Sequence, residues 1–340
     1  MRAARFYEKG VLKIDEVPMK KPAPDEVVIK IRFCGICGTD VHIFNGEKGS
    51  AEVTPPVIIG HEFSGDIAEI GSSVTGFRVG DRVSVDPNSY CGTCYFCANG
   101  MKHLCTGMKG LGTALDGGFA EYITVPEKLV YPVADHVSYE AAAMTEPVAC
   151  CVHGFDLTDV RVGQTVMVVG TGNIGMIMVQ LARHAGAAAV IAVEPNERRR
   201  KTAIELGADF GIDPLHDDTD AVLKEHHIYN IDRVIDCAGR TDTNEYSVHY
   251  AGKGAVVMLY GLTAPDDQMA LKPFEVFQKE LTIKGSFINP DTFDRAGKLL
   301  SAGIIKTEKI ISDIYELEDI QRVFEEKLYA KNCKVLIRCS

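Results

Sequence analysis

The run Val166-Met167-Val168-Val169 passes without a break into Gly170-Thr171-Gly172-Asn173-Ile174-Gly175, and then into a helical pattern over 176–185. Four apolar residues with no polar alternation read as a strand covered on both faces, as in a parallel sheet. A GxGxxG run alone is a weak signal. Between a strand and a helix it is the turn that receives a dinucleotide's pyrophosphate: glycine lets the backbone approach, and the helix N-terminus supplies positive partial charge. Apolar runs at 190–193, 234–237, 255–259 and 281–285 alternate with helical patterns, which predicts a doubly wound α/β sheet over 151–289.

Ligands of such a sheet lie beyond the carboxyl ends of its strands. Gly170, Gly172, Asn173, Ile174 and Gly175 are therefore candidates for the pyrophosphate, and Gly261, Leu262, Ser286 and Phe287 for the rest of a dinucleotide. Cys237 stands at another strand end and also fits a small packing role. Glu194 closes the strand after the glycine turn, 19 residues beyond Gly175. An acid there accepts hydrogen bonds from ribose hydroxyls and repels a 2′-phosphate, so NAD is expected rather than NADP. Arg198 and Arg199 lie close enough to attract a phosphate, and Arg199 has a second possible place against the adenine.

The first 150 residues have a different texture. Short alternating segments at 11–17, 27–34, 63–70 and 82–85, broken by Gly and Pro, predict a β-rich, barrel-like lobe. After the second of these comes Gly35-Ile36-Cys37-Gly38-Thr39-Asp40-Val41-His42; after the apolar run 57–59 comes Gly60-His61-Glu62. A thiol, an imidazole and a carboxylate at strand ends form a plausible zinc set that leaves a position for substrate. The Thr39 hydroxyl beside it suits a site that must also move a proton. Taken alone, Cys37 and His61 would pass as core residues; together they point to a metal. Cys91-x2-Cys94-x2-Cys97-x7-Cys105 puts four thiols within 15 residues of a Gly- and Asn-containing loop. Four thiolates close a tetrahedral structural zinc site with no open position, an iron–sulfur cluster being the lesser rival. Ser138 reads as a helix N-cap, and Glu146-Pro147 sets a carboxylate in apolar surroundings, where a metal is a credible partner. Near the end, amphipathic helices over 292–302 and 318–327 and a strand over 334–338 are expected to return to the first lobe.

The totals exclude some classes. With 36 basic and 47 acidic residues the net charge is −11, and the one basic run, Arg198 to Lys201, lies on a helical pattern, so no nucleic-acid footprint is present. No leader pattern opens the chain and no apolar run reaches the ~18 residues of a membrane span, so the expected location is the cytoplasm and no membrane partner is expected. Eleven cysteines there read as thiols and metal ligands rather than disulfides.

These motifs, in this order and spacing, resemble the zinc-dependent medium-chain dehydrogenases, and within them the polyol and threonine dehydrogenase branch. The resemblance spans nearly the whole chain: 35–42, 60–62, the four-cysteine loop, Glu146-Pro147 and 170–175. It implies a GroES-like catalytic domain made of 1–150 and 290–340, a Rossmann domain over 151–289, two zinc ions per subunit, NAD, and a homodimer or homotetramer. It implies Cys37 and His61 as catalytic zinc ligands and Glu62 and Glu146 as the two carboxylates near that zinc, without saying which ligates. Thr39 then touches the substrate oxygen and His42 relays the proton. The implied reaction takes a hydride from a secondary alcohol of a polyol or polyol phosphate, with L-threonine or 2,3-butanediol as alternative substrates. The arginine that animal sorbitol dehydrogenases carry after the last Rossmann strand is absent here. Ser286 to Asn289 stand in its place and become specificity candidates.

Overall fold

Val166, Met167 and Val168 are fully buried at the centre of a parallel sheet, each contributing about 1.5–3 kcal/mol by leaving water. In the computed structural model, which describes residues 1–47, 53–331 and 333–340, this sheet has six strands. Their spatial order is Phe210–Ile212, Ala189–Val193, Thr165–Val169, Arg233–Asp236, Val256–Leu259 and Thr282–Gly285. All neighbours run parallel, with Thr165 opposite Ala189 and Val166 opposite Arg233. This is the doubly wound order expected from the glycine turn. The strand Phe210–Ile212 is too short to show in the sequence pattern.

The chain forms two units. One consists of Cys150–Ile288 and Ile304–Ile310 and contains the parallel sheet; the other consists of Met1–Ala149, Asn289–Gly303 and Ile311–Ser340. Residues 304–310 join the parallel-sheet unit because the Lys306 amide donates to Gln180 Oε1 (2.8 Å) and Lys309 pairs with Glu205 (2.8 Å).

The other unit is β-rich. Its main sheet runs Val130–Pro132, Arg82–Val85, Glu62–Ile70, Glu26–Gly35, Lys334–Arg338 and Ile311–Glu316, with Tyr122–Pro126 also paired to Glu26–Gly35. Ile29, Ile31, Phe63, Phe119 and Ile337 lie in its core. The last strand therefore does return to the first lobe, pairing antiparallel through Leu336 opposite Gly35. Arg2–Glu8 is a strand that the sequence did not reveal, because Arg2, Arg5 and Glu8 interrupt its apolar positions. The helix expected over 318–327 is shorter. A 3-10 turn, Leu317–Asp319, leads into Ile320–Glu325, and Lys327 at φ 52° lies beyond its end. Ser138 caps its helix as expected, its Oγ accepting from the Ala141 amide at 3.1 Å. Among the described residues no helix is long and apolar enough to cross a membrane.

Candidate active site and metal centres

The strand Glu26–Gly35 delivers the chain to Cys37, which is the N-cap residue of the helix Gly38–Phe44. The pairing of Gly35 with Glu62 brings the two motifs together. A thiol, an imidazole nitrogen and a carboxylate oxygen, from Cys37, His61 and Glu62, lie within 4.8 Å of one another.

Asp40 organises this group from beneath. It is fully buried, and its Oδ2 accepts from the Cys37 amide (2.9 Å) while Oδ1 accepts from the Gly60 amide (3.1 Å). The same Oδ1 lies 3.6 Å from His61 Nδ1. Burial alone would push the His61 pKa down, but the Asp40 carboxylate and the Cys37 sulfur outweigh it and hold it well above the ordinary value. A pocket that so favours a cation on a buried imidazole suits a metal ion, which would displace that proton. The residues present therefore fit a catalytic zinc.

Glu62 is held by Lys334. The two form an ion pair at 2% and 1% side-chain exposure, and the ammonium also donates to the Ile36 carbonyl at 2.9 Å. Burial would lower the Lys334 pKa, yet Glu62 above all, then Cys37 and Glu146, keep it raised. Gly35 makes room for the pair, since a Cβ there would stand 2.3 Å from Glu62 Oε2 and 2.8 Å from Lys334 Cε. Glu146 lies in the first turn of the helix Thr145–Thr158, buried and near enough to act on Lys334, but outside the donor trio. Thr39 and His42 are three residues apart on the Gly38–Phe44 helix, so they share a face. Sequence reading missed Lys334 and Asp40. The available signals were a lysine at the head of an apolar strand and an acid inside the first helical turn after Cys37.

The four cysteines of the loop also converge, with their sulfurs within 4.8 Å of one another. The Cys91 amide donates to Cys105 Sγ and the Cys94 amide to Cys91 Sγ, both at 3.3 Å. The amides of Cys97 and Thr106 pull the Cys94 thiol down to about 6, while burial pushes the neighbouring Cys97 thiol up to about 12. Backbone donors aimed at sulfur stabilise thiolates, so this loop fits a closed structural zinc.

In the parallel-sheet unit the three glycines have distinct tasks. Gly170 has φ +82°, and a Cβ on it would press within 3.0 Å of Ala238. A Cβ on Gly175 would strike the Gly170 carbonyl oxygen at 1.9 Å, so glycine permits close helix–strand packing. Around Gly172, the N-cap of Asn173–His184, a Cβ would meet nothing within 4 Å. That open backbone is the cradle a pyrophosphate needs. Glu194 is buried against the turn, with Oε2 accepting from the Thr171 amide (2.9 Å) and Oε1 from the Asn196 amide (3.0 Å). Arg200, not singled out in the sequence, donates to the Glu194 carbonyl oxygen at 2.5 Å, and the Arg199 amide is capped by Asn196 Oδ1 at 3.1 Å. Cys237, Gly261, Leu262, Ser286 and Phe287 follow the ends of the strands Arg233–Asp236, Val256–Leu259 and Thr282–Gly285. Burial pushes the Cys237 thiol up, which suits packing. Ser286 Oγ is buried without a hydrogen-bond partner among the described residues, a group a ligand would satisfy. Asn289 does not fit a specificity role. It is fully buried, accepting from Asn88 Nδ2 (2.7 Å) and donating to Asp86 Oδ1 (3.3 Å).

Residues 23–135 match the alcohol dehydrogenase GroES-like domain, and residues 173–302 match the zinc-binding dehydrogenase domain. Sorbitol dehydrogenase of Bacillus subtilis is 34% identical over 98% of this chain and 95% of its own. The chain belongs to the zinc-dependent medium-chain dehydrogenase family. L-threonine 3-dehydrogenase of Caldanaerobacter subterraneus is 36% identical (97% of this chain, 96% of the relative), and D-arabitol-phosphate dehydrogenase of Enterococcus avium 33% (95% and 92%). A zinc-binding dehydrogenase of Sinorhizobium meliloti, solved with NADP, superposes with a TM-score of 0.94 at 36% identity, covering 99% of this chain and 98% of that one. The protein is thus a zinc- and nicotinamide-dependent alcohol dehydrogenase acting on a small molecule.

For this dehydrogenase the closed four-thiol loop leads to a prediction. Cys97→Ser should remove one zinc per subunit and lower the melting temperature by on the order of 10 °C. It should leave kcat at low temperature within about threefold, because a closed site offers no position to substrate. Metal analysis, calorimetry and initial rates check this; wild-type stability with lost turnover would reverse the roles of the two metal centres.

Proposed function

We propose that this dehydrogenase oxidises a secondary hydroxyl of a sugar alcohol, free or phosphorylated, to the ketose. The observation that carries this reading is the convergence of Cys37, His61 and Glu62 at the start of the helix that also bears Thr39 and His42. Zinc held by that trio supplies a Lewis acid that lowers an alcohol's pKa toward neutrality. NAD supplies the hydride acceptor.

The chain's own residues do the rest. Thr39 accepts the proton of the substrate hydroxyl and hands it to His42, which returns it to solvent. Asp40 sets its negative charge 3.6 Å from His61 Nδ1, and Lys334 fixes Glu62, so the carboxylate donor is preset rather than recruited. Glu146 is the second carboxylate, balancing the positive charge beside the trio. In the other unit, Gly170, Gly172, Asn173, Ile174 and Gly175 take the pyrophosphate. Glu194 Oε1, which accepts only from the Asn196 amide among the described residues, keeps a lone pair for a ribose hydroxyl, and the carboxylate's charge disfavours a 2′-phosphate. Arg199, Cys237, Gly261, Leu262, Ser286 and Phe287 complete the cofactor's surroundings.

The sorbitol and arabitol-phosphate relatives favour a polyol, and the threonine relative keeps L-threonine or 2,3-butanediol as the second reading. A rate screen over pentitols, hexitols, their phosphates, L-threonine and butanediols, with NAD or NADP and zinc supplied, decides it. Turnover with a polyol or polyol phosphate, at least tenfold better with NAD, is the expected result. Turnover only with threonine or a butanediol would keep the chemistry and discard the polyol.

Self-assembly belongs to the same reading. The strand Thr282–Gly285 is an open sheet edge, and the adjoining helix Pro273–Lys279 buries none of its residues, leaving Phe274 and Phe277 70% and 77% exposed. An unpaired edge flanked by bare aromatics suits a second copy across a two-fold axis, giving a homodimer or, by further pairing, a homotetramer. Light scattering should report an oligomer, and Phe277→Asp should shift it toward monomer. The cytoplasm is the location that goes with this reading, because eleven cysteines serving as thiols and metal ligands suit a reducing compartment.

A further inference from the structure

The Gly38–Phe44 helix stops in a way that returns the chain to His42. Asn45 is its C-cap, and Gly46 follows at φ +67°, in the left-handed region that glycine adopts readily. The Gly46 amide donates to the Ile43 carbonyl and the Glu47 amide to the His42 carbonyl, both at 2.9 Å. These two bonds are the Schellman arrangement, in which the second residue past the cap lies over the third residue before it. That contact is usually hydrophobic. Here it joins a carboxylate to an imidazole, with Glu47 Oε2 2.6 Å from His42 Nδ1. Glu47 thus meets His42 twice, through backbone and through side chain.

We propose that Glu47 is a positioning residue for the proton relay, acting through His42. The proposal rests on the reading of His42 as the relay group. An ionised carboxylate only accepts, so His42 Nδ1 carries a proton and donates it. The ring is thereby held as the tautomer whose Nε2 has a free lone pair. Nε2 takes the proton from Thr39, the ring is an imidazolium beside a carboxylate while it holds that proton, and the same nitrogen releases it to solvent water. One proton enters and one leaves, while the Nδ1 proton stays on Glu47's side throughout.

The test compares Glu47→Leu, Glu47→Asp and His42→Gln in the zinc-loaded enzyme. The readout is the single-turnover rate of NADH formation with the best alcohol from the screen above. Leucine restores the usual hydrophobic contact of the motif, so the helix end survives and melting temperature and zinc content should match wild type. The expected result is a roughly tenfold slower turnover for Glu47→Leu, with KM for NAD unchanged and most of the rate restored by Glu47→Asp. Added to His42→Gln, Glu47→Leu should cost nothing more. Nitrogen-15 spectra of the histidines should show the Nδ1–H form of His42 in wild type and a tautomer mixture in Glu47→Leu. A wild-type rate in Glu47→Leu while His42→Gln is slow would overturn the proposal and leave the relay standing. Additive losses in the double variant would also overturn it, since Glu47 would then act elsewhere. A wild-type rate in His42→Gln would overturn the relay reading and the proposal with it.

Discussion

Lys334→Met is expected to destabilise the protein by about 3–5 kcal/mol and to weaken zinc binding at the catalytic centre by about 10–100-fold. The lysine lies at the head of the strand Lys334–Arg338, and its ammonium is the counter-charge of Glu62 in a pair almost wholly removed from water. Methionine matches its length and apolar stem but leaves the Glu62 carboxylate buried and uncompensated. Glu62 must then take up a proton or pull toward other partners, and either change spoils a donor set that is otherwise preset. Glu62→Gln added to Lys334→Met should recover most of the stability, because a neutral amide needs no counter-charge, while turnover stays low. Denaturant unfolding and metal titration of the two variants separate these effects. Unchanged stability in Lys334→Met would show that the pair contributes nothing to the fold; unchanged zinc affinity would show that Glu62 needs no anchor.

The importance of this lysine could not be read from the chain, and the reason is physical. Cys37, His61, Cys91, Cys94, Cys97 and Cys105 announce themselves by residue type and local spacing: Cys37 and His61 follow apolar strand runs, and the other four thiols fall within one 15-residue loop. The glycine turn after Val169 was legible for the same reason: its task is local. Lys334 is 272 residues from Glu62 and matters only once antiparallel pairing sets Leu336 opposite Gly35. Asp40 looked like one polar residue among several, and only its burial beneath Cys37 and His61 reveals its work. Asn289 misled in the opposite direction. It follows the end of the strand Thr282–Gly285 closely in sequence, yet its amide is consumed by Asn88 and Asp86. Proximity along the chain predicted a substrate contact where three-dimensional packing made a buried anchor. Of the two carboxylates, Glu62 joins the donor trio because strand register places it opposite Gly35, a fact that no residue-type pattern contains.

Cys37→Ser should abolish turnover, by a factor on the order of 10³ or more in kcat, while NADH binds as tightly as to wild type. The size of the effect follows from what zinc requires of its ligands. A thiol ionises near neutrality when a cation is beside it; a serine hydroxyl does not, and the remaining imidazole and carboxylate bind zinc weakly. The choice of serine keeps the comparison clean. Cys37 is the N-cap residue of the Gly38–Phe44 helix, with extended backbone at φ −106° and ψ 160°. Serine is among the residues preferred at an N-cap, so the helix that carries Thr39, Asp40 and His42 should be retained or strengthened. The parallel-sheet unit has its own apolar core, built on Met167, Ile191, Val234 and Val257, and the change lies outside it. Fluorescence titration with NADH therefore reports an intact cofactor site, metal analysis reports one zinc per subunit in place of two, and the melting temperature stays within about 3 °C. Turnover retained by this variant would remove Cys37 from the metal and with it the zinc-dependent reading of the reaction. Loss of NADH binding together with turnover would instead trace the defect to folding rather than to chemistry at the Cys37–His61–Glu62 centre.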